Sequence, residues 1–185
     1  MPSEKINTKY QLVGYGGLTS TKHLIVPYFP SKIIRFIEPF AGLGRITEMV
    51  QAEEYFLNDM SDYAVQHLRE KFPSYHTEQI DYVDFIKKHT THDSFVFCDP
   101  PWRKNIYKNN EKPAFTEKNI IAYYEKLLDL LPQLDCKWII TSDRDEHENG
   151  HRLQKSGYKN ITMSNDSTGK FFGRSPAVRL CGNCI

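Results

Sequence analysis

No run of residues approaches the roughly 20 consecutive apolar positions that a membrane helix requires. The opening stretch, residues 1–9, is polar where a signal peptide would carry an apolar core. No membrane partner is expected, and the expected location is the cytoplasm. Cysteine is scarce, four in 185 residues, too few for a disulfide framework. Cys98 and Cys136 sit in strand-like apolar settings, where a reduced thiol behaves as a small hydrophobe. Cys181 and Cys184 form a lone C-x-x-C without a second pair of ligands at zinc spacing, so no metal is expected. Excess charge is lacking too. The formal net charge is +1, so any nucleic-acid contact must come from a local patch and not from a global field. Internal repeats and low-complexity linkers are absent, which predicts one domain over residues 1–185, long enough for a real core.

What the sequence does contain is concentrated around Phe95-Val96-Phe97-Cys98-Asp99-Pro100-Pro101-Trp102. The first four residues read as a buried strand. The two prolines end it, because proline gives no N–H to a ladder and forces the residue before it into an extended conformation. Asp99 and Trp102 would then stand on a stiff loop at the strand's carboxyl edge, the edge where open α/β sheets bind ligands. A carboxylate, rigid carbonyls and a flat aromatic suit a planar amine. A strand end with a Pro-Pro turn and a half-buried Trp is the plainer alternative.

Other segments supply the remainder of an α/β pattern. Residues 33–37 predict a strand, followed by Glu38, Pro39, Phe40, Ala41, Gly42, Leu43 and Gly44 as a glycine-bearing turn into a helix over 46–52. Such a turn lets backbone approach a ligand, and a helix N-terminus offers free N–H groups. A second strand over 55–57 ends at Asn58 and Asp59, 15 positions after Gly44, where doubly wound folds place an acid for a ribose diol. Asp59 reads equally well as a cap for a helix over 63–72. A third apolar segment over 75–80 leads into Asp81 to Ile86. There Asp84 and Phe85 offer a carboxylate and an aromatic for an adenine ring, or Asp84 caps a helix over 85–89. Apolar positions at helical spacing predict a helix over 119–131, then a strand over 136–141, a helix over 147–156 and two last strands over 158–163 and 177–181. The predicted fold is α/β: a Rossmann-like, seven-stranded, mostly parallel sheet with a terminal antiparallel hairpin. Two loops carry basic residues: 103–118, with Arg103, Lys104, Lys108 and Lys112, and 165–176, with Lys170, Phe171, Phe172 and Arg174. They read as solvated loops or as phosphate contacts.

These motifs, in this order, resemble the Dam-like group of adenine-specific DNA methyltransferases. Glu38-Pro-Phe-Ala-Gly-Leu-Gly is similar to its S-adenosylmethionine motif, Leu57-Asn58-Asp59 to its ribose-binding acid, Asp84-Phe85 to its adenine-binding segment, and Asp99-Pro-Pro-Trp to its D-P-P-[YFW] catalytic tetrapeptide. Tyr15, Gly16 and Gly17 stand where the family has an N-terminal cofactor motif. The resemblance implies S-adenosylmethionine as cofactor and methyl transfer to the exocyclic amine of adenine in DNA. Asp99, Pro100, Pro101 and Trp102 would form the catalytic set and the two basic loops the nucleic-acid contacts. RNA or single-stranded nucleic acid is an alternative polymer, and a non-catalytic cofactor-binding subunit an alternative role. Three departures stand out. Leu18 follows the paired glycines where the family has lysine. The tetrapeptide ends in Trp102 where tyrosine is more frequent. Asp99 follows Asp59 by only 40 positions, leaving no room for the family's target-recognition domain, so a partner subunit that supplies recognition is expected.

Overall fold

The computed structural model describes residues 22–100, 117–143, 157–163 and 178–185. Among them seven strands form one sheet: β1 (Arg35–Glu38), β2 (Glu54–Asn58), β3 (His76–Glu78), β4 (Ser94–Cys98), β5 (Lys137–Asp143), β6 (Lys159–Met163) and β7 (Val178–Gly182). Their order is β3-β2-β1-β4-β5-β7-β6. The first five strands are parallel, and β7 runs antiparallel to both β5 and β6. The predicted terminal hairpin is therefore present, with β7 inserted between β5 and β6.

The central strand is buried along its whole length, and accordingly Ser94–Cys98 reads as an apolar run without alternation. In β1 the side chains alternate between the faces. Ile37 joins Val96, Cys98, Trp138 and Ile140 on one face, beneath Phe85 and Ile86 of one helix and Tyr124 and Leu127 of another. Phe36 joins Phe95, Phe97 and Ile139 on the opposite face with Ile25, Ile46 and Val50. The Phe29 ring lies 4.8 Å from Phe95 and 5.0 Å from Phe97. Each such buried phenylalanine contributes about 1.5–3 kcal/mol relative to exposure.

Four α-helices lie among the described residues: α1 (Lys22–Ile25), α2 (Asp62–Lys71), α3 (Tyr82–His89) and α4 (Glu117–Leu130). Ser61 caps α2 by accepting the Ala64 N–H, with Asp62 in the first turn and Arg69 and Lys71 in the last, the charge order that suits the helix dipole. Asp81 caps α3 by accepting the Val83 N–H at 2.9 Å. Asp84 is thus a residue of the first helical turn and not the cap.

The helix expected over 46–52 does not form. Its place is taken by a single 3-10 turn, Thr47–Met49, held by short-range bonds from Met49 N–H to the Ile46 carbonyl and from Val50 N–H to the Thr47 carbonyl. The Tyr55 hydroxyl ends it, donating to the Val50 carbonyl and accepting the Ala52 N–H, both at 2.8 Å. Groups that a helix would have paired internally are thereby satisfied from β2. The predicted helix over 147–156 lies outside the described residues.

Candidate active site

Strand order reverses between β1 and β4: β2 and β3 continue on one side, β5 and its neighbours on the other. Ligands of open α/β sheets bind at such a switch point, outside the carboxyl ends of the strands. Glu38 is the last residue of β1, Asp59 follows β2 and Asp99 follows β4, so the topology brings these three sequence-predicted carboxyl groups to one edge.

The turn after β1 has Gly42 at φ 51° and Gly44 at φ 67°, a left-handed conformation that side chains rarely adopt. Its geometry is set from β2. Asp59 Oδ2 accepts the Gly42 N–H at 2.9 Å, while Oδ1 accepts the Ser61 N–H at 2.9 Å. Asn58, fully buried at the end of β2, ties the loops after β1 and β3 together. Its side-chain nitrogen donates to the carbonyls of Pro39 and Ile80, its side-chain oxygen accepts the Ile80 N–H, and its own carbonyl accepts the Ala41 N–H. Gly44 serves packing: a Cβ there would lie 2.5 Å from the Phe72 ring and 3.1 Å from Leu68. Ala41 likewise packs against Leu57 and Leu68.

Burial dominates the electrostatics. It pushes the Asp59 carboxyl above the usual range, opposed by the N–H groups of Ser61 and Gly42. Glu38 is buried, and desolvation, reinforced by the charges of Asp99 and Asp59, pushes it up to about 8 against the pull of a hydrogen bond donated by the Thr47 hydroxyl. Asp99 is held from β5. The Thr141 hydroxyl donates to its Oδ1 at 2.5 Å, and the Thr141 carbonyl in turn accepts the Tyr124 hydroxyl at 3.1 Å.

Above the α3 N-terminus the half-buried Phe40 ring lies 5.2 Å from Tyr82, which stacks on Tyr123 at 4.8 Å. Phe85 takes no part in this edge. It is fully buried in the core beside His89, and Asp84 is exposed on the helix. The carboxylate and aromatic that directly follow the β3 loop are Asp81, which is exposed, and Tyr82, which is buried in the same core cluster as Phe85 and meets Phe40 and Tyr123. Pro100 is buried directly after Asp99. Tyr15, Gly16, Gly17, Pro101, Trp102, Arg103, Lys104, Lys108, Lys112, Lys170, Phe171, Phe172 and Arg174 lie outside the described residues. Sequence reasoning missed the bracing roles of Asn58, Thr47 and Thr141. Asn58 and Thr141 each carried a signal, as polar residues closing apolar strands, and Thr47 carried none.

Comparison with solved structures settles the architecture. A Streptococcus mutans protein in complex with S-adenosylhomocysteine superposes with a TM-score of 0.53 at 13% identity, over 98% of this chain and 99% of the other. The methyltransferase domain of METTL16 gives 0.55 at 12% identity, over 90% and 81%. The chain has the S-adenosylmethionine-dependent methyltransferase fold. The ribosomal protein L11 methylase of Lactobacillus delbrueckii subsp. bulgaricus adds 0.54 at 13% identity, over 92% and 80%. No family model and no curated protein matches the sequence significantly. For a methyltransferase fold, the residues present at the switch point fit the cofactor. Asp59 accepts the backbone N–H groups of Gly42 and Ser61, with a further contribution from that of Met60, and a carboxylate with about four lone-pair sites keeps capacity for a ribose hydroxyl.

Proposed function

We propose that the protein is a methyltransferase that moves the sulfonium methyl of S-adenosylmethionine to the exocyclic amine of adenine in DNA. The observation that carries this reading is the carboxylate of Asp99, braced by Thr141 at the end of β4, on the strand next to the glycine turn of β1. In that arrangement Asp59 would hold the ribose and the glycine turn the methionine end of the cofactor. The amine's lone pair is delocalised into the ring, which makes it a poor nucleophile. A hydrogen bond from one N–H to Asp99 and from the other to the Pro100 carbonyl favours a pyramidal nitrogen whose lone pair faces the methyl group. The nitrogen–carbon bond forms as the carbon–sulfur bond breaks, the electron pair passes to sulfur, and the nitrogen then gives up one proton. A near-attack geometry of this kind can be worth roughly 7–11 kcal/mol.

The resemblance to Dam-like enzymes supports the choice of adenine, since Asp99-Pro100-Pro101-Trp102 carries the amine-binding pattern. In a duplex the base must be flipped out at a cost of a few kcal/mol, which stacking on Trp102 would offset in part. Arg103, Lys104, Lys108 and Lys112 in one loop, and Lys170, Phe171, Phe172 and Arg174 in another, supply the nucleic-acid contacts of this reading. The interval from Asp59 to Asp99 is filled by α2, β3, α3 and β4, so target choice falls to a partner subunit. The tetrapeptide addresses the amine and not the polymer, and RNA is therefore the alternative substrate.

The test is Asp99→Ala, assayed by transfer of tritium from methyl-labelled cofactor to nucleic acid and by calorimetric titration of S-adenosylhomocysteine. Transfer should disappear while affinity for S-adenosylhomocysteine, which brings no sulfonium charge, stays within about twofold, because the lost hydrogen bond serves the amine. Full transfer by the variant would mean that the amine is held elsewhere.

A further inference from the structure

The cofactor and its demethylated product differ by one methyl group and one positive charge, and the residues around Glu38 bear on that charge. Glu38 ends β1 with 2% of its surface exposed. Three elements face it: the 3-10 turn through the Thr47 hydroxyl, the end of β2 through Asp59, and the end of β4 through Asp99. Among the described residues no basic side chain faces it. Arg35, on the same strand, pairs with Glu54, and Lys22, Arg45 and Lys71 all pair with Glu48 on the outer side of the same turn. Burial first, and then the neighbouring carboxyl groups of Asp99 and Asp59, favour the neutral form of a carboxyl group so placed, against the hydrogen bond from Thr47.

We propose that Glu38 is the charge sensor of the cofactor site, a neutral acid that gives up its proton to solvent when the sulfonium cation arrives, so that methylated cofactor is preferred over its product. This rests on the cofactor site proposed above. The proton leaves as the positive charge enters, so the buried edge gains no net charge on binding S-adenosylmethionine. S-adenosylhomocysteine brings no sulfonium and leaves Glu38 protonated. After methyl transfer the sulfur is neutral, Glu38 takes its proton back, and the product loses the interaction that held the cofactor.

The experiment is calorimetric titration of the full chain and of Glu38→Gln with S-adenosylmethionine and S-adenosylhomocysteine. Each titration is run between pH 6 and 9, in two buffers of different ionisation enthalpy, which counts the protons released. The ligand's own amino group titrates near 8, but it does so against both proteins, so the difference between them isolates Glu38. Wild-type affinity for S-adenosylmethionine should rise toward about tenfold per pH unit below Glu38's titration, with a proton release that S-adenosylhomocysteine lacks. Glu38→Gln should show neither the extra release nor the pH-dependent preference. Gln reproduces the neutral acid and can still accept from Thr47. Should the variant nonetheless fail to fold, wild type alone decides, since equal proton release with both ligands overturns the proposal. Equal release by wild type and variant overturns it as well. Absence of binding by both ligands at every pH would instead remove the cofactor site itself.

Discussion

Glu38 and Asp59 bring the same pH dependence into the folded state. Each is raised by burial above its unfolded value, so each binds its proton more tightly when folded. For Glu38 the resulting stability is fully present below about pH 4.5 and is lost as pH rises through about 8. Thermal melts between pH 5 and 9 should therefore show a falling midpoint, and Glu38→Gln should flatten that fall; a variant curve parallel to wild type would contradict the assignment. Asp59→Ala should weaken S-adenosylhomocysteine binding about 10- to 100-fold, the size of one hydrogen bond to a charged group, with Asp99→Ala as the control that does not. Asp59 was legible because an acid closed an apolar strand at a fixed distance from two glycines. Phe85 was misplaced because an aromatic beside a carboxylate looks alike in a core and in a pocket, and only the Asp81 cap shows which way α3 turns its side chains.

Strands were the most legible elements. The strand expected over 33–37 forms two residues later, as Arg35–Glu38, which takes in Glu38, and the run 95–98 lies within Ser94–Cys98; both are central strands. The segment after the glycine turn was not legible, since a strand and a glycine-bearing turn led to the expectation of a helix and the decisive group, the Tyr55 hydroxyl, comes from the next strand. Tyr55→Phe should leave the Val50 carbonyl and the Ala52 N–H unpaired, costing about 1–3 kcal/mol in denaturant unfolding; an unchanged midpoint would mean that water replaces the hydroxyl fully. Gly44→Ala should cost more. Left-handed strain of about 1–2 kcal/mol adds to the clash with the Phe72 ring, itself typically about 1–3 kcal/mol. Because that clash pushes α2 away from the turn that Asp59 holds, cofactor affinity should fall with stability.

At the scale of the whole molecule, an even charge balance and an interval between Asp59 and Asp99 filled by core elements leave few ways to grip a duplex. The basic residues available in the two loops would neutralise only a few phosphates, each adding about 0.9 to the slope of log affinity against log salt. Binding of the isolated chain to DNA should be weak, steeply salt-dependent and nearly indifferent to sequence, and replacing Lys104, Lys108 and Lys112 with Ala should lower it equally for all sequences. Nanomolar binding to one duplex sequence at physiological salt would show that recognition resides in this chain after all. The methyltransferase fold itself hosts many methyl acceptors, so the acceptor atom is the central claim, and transfer of tritium from labelled cofactor to duplex DNA, single-stranded DNA and RNA, followed by nucleoside analysis, tests it most directly. The account predicts label on the exocyclic nitrogen of adenine, strongest where the base is already unpaired, and none with Asp99→Ala. Label on another base, or on protein alone, would contradict it.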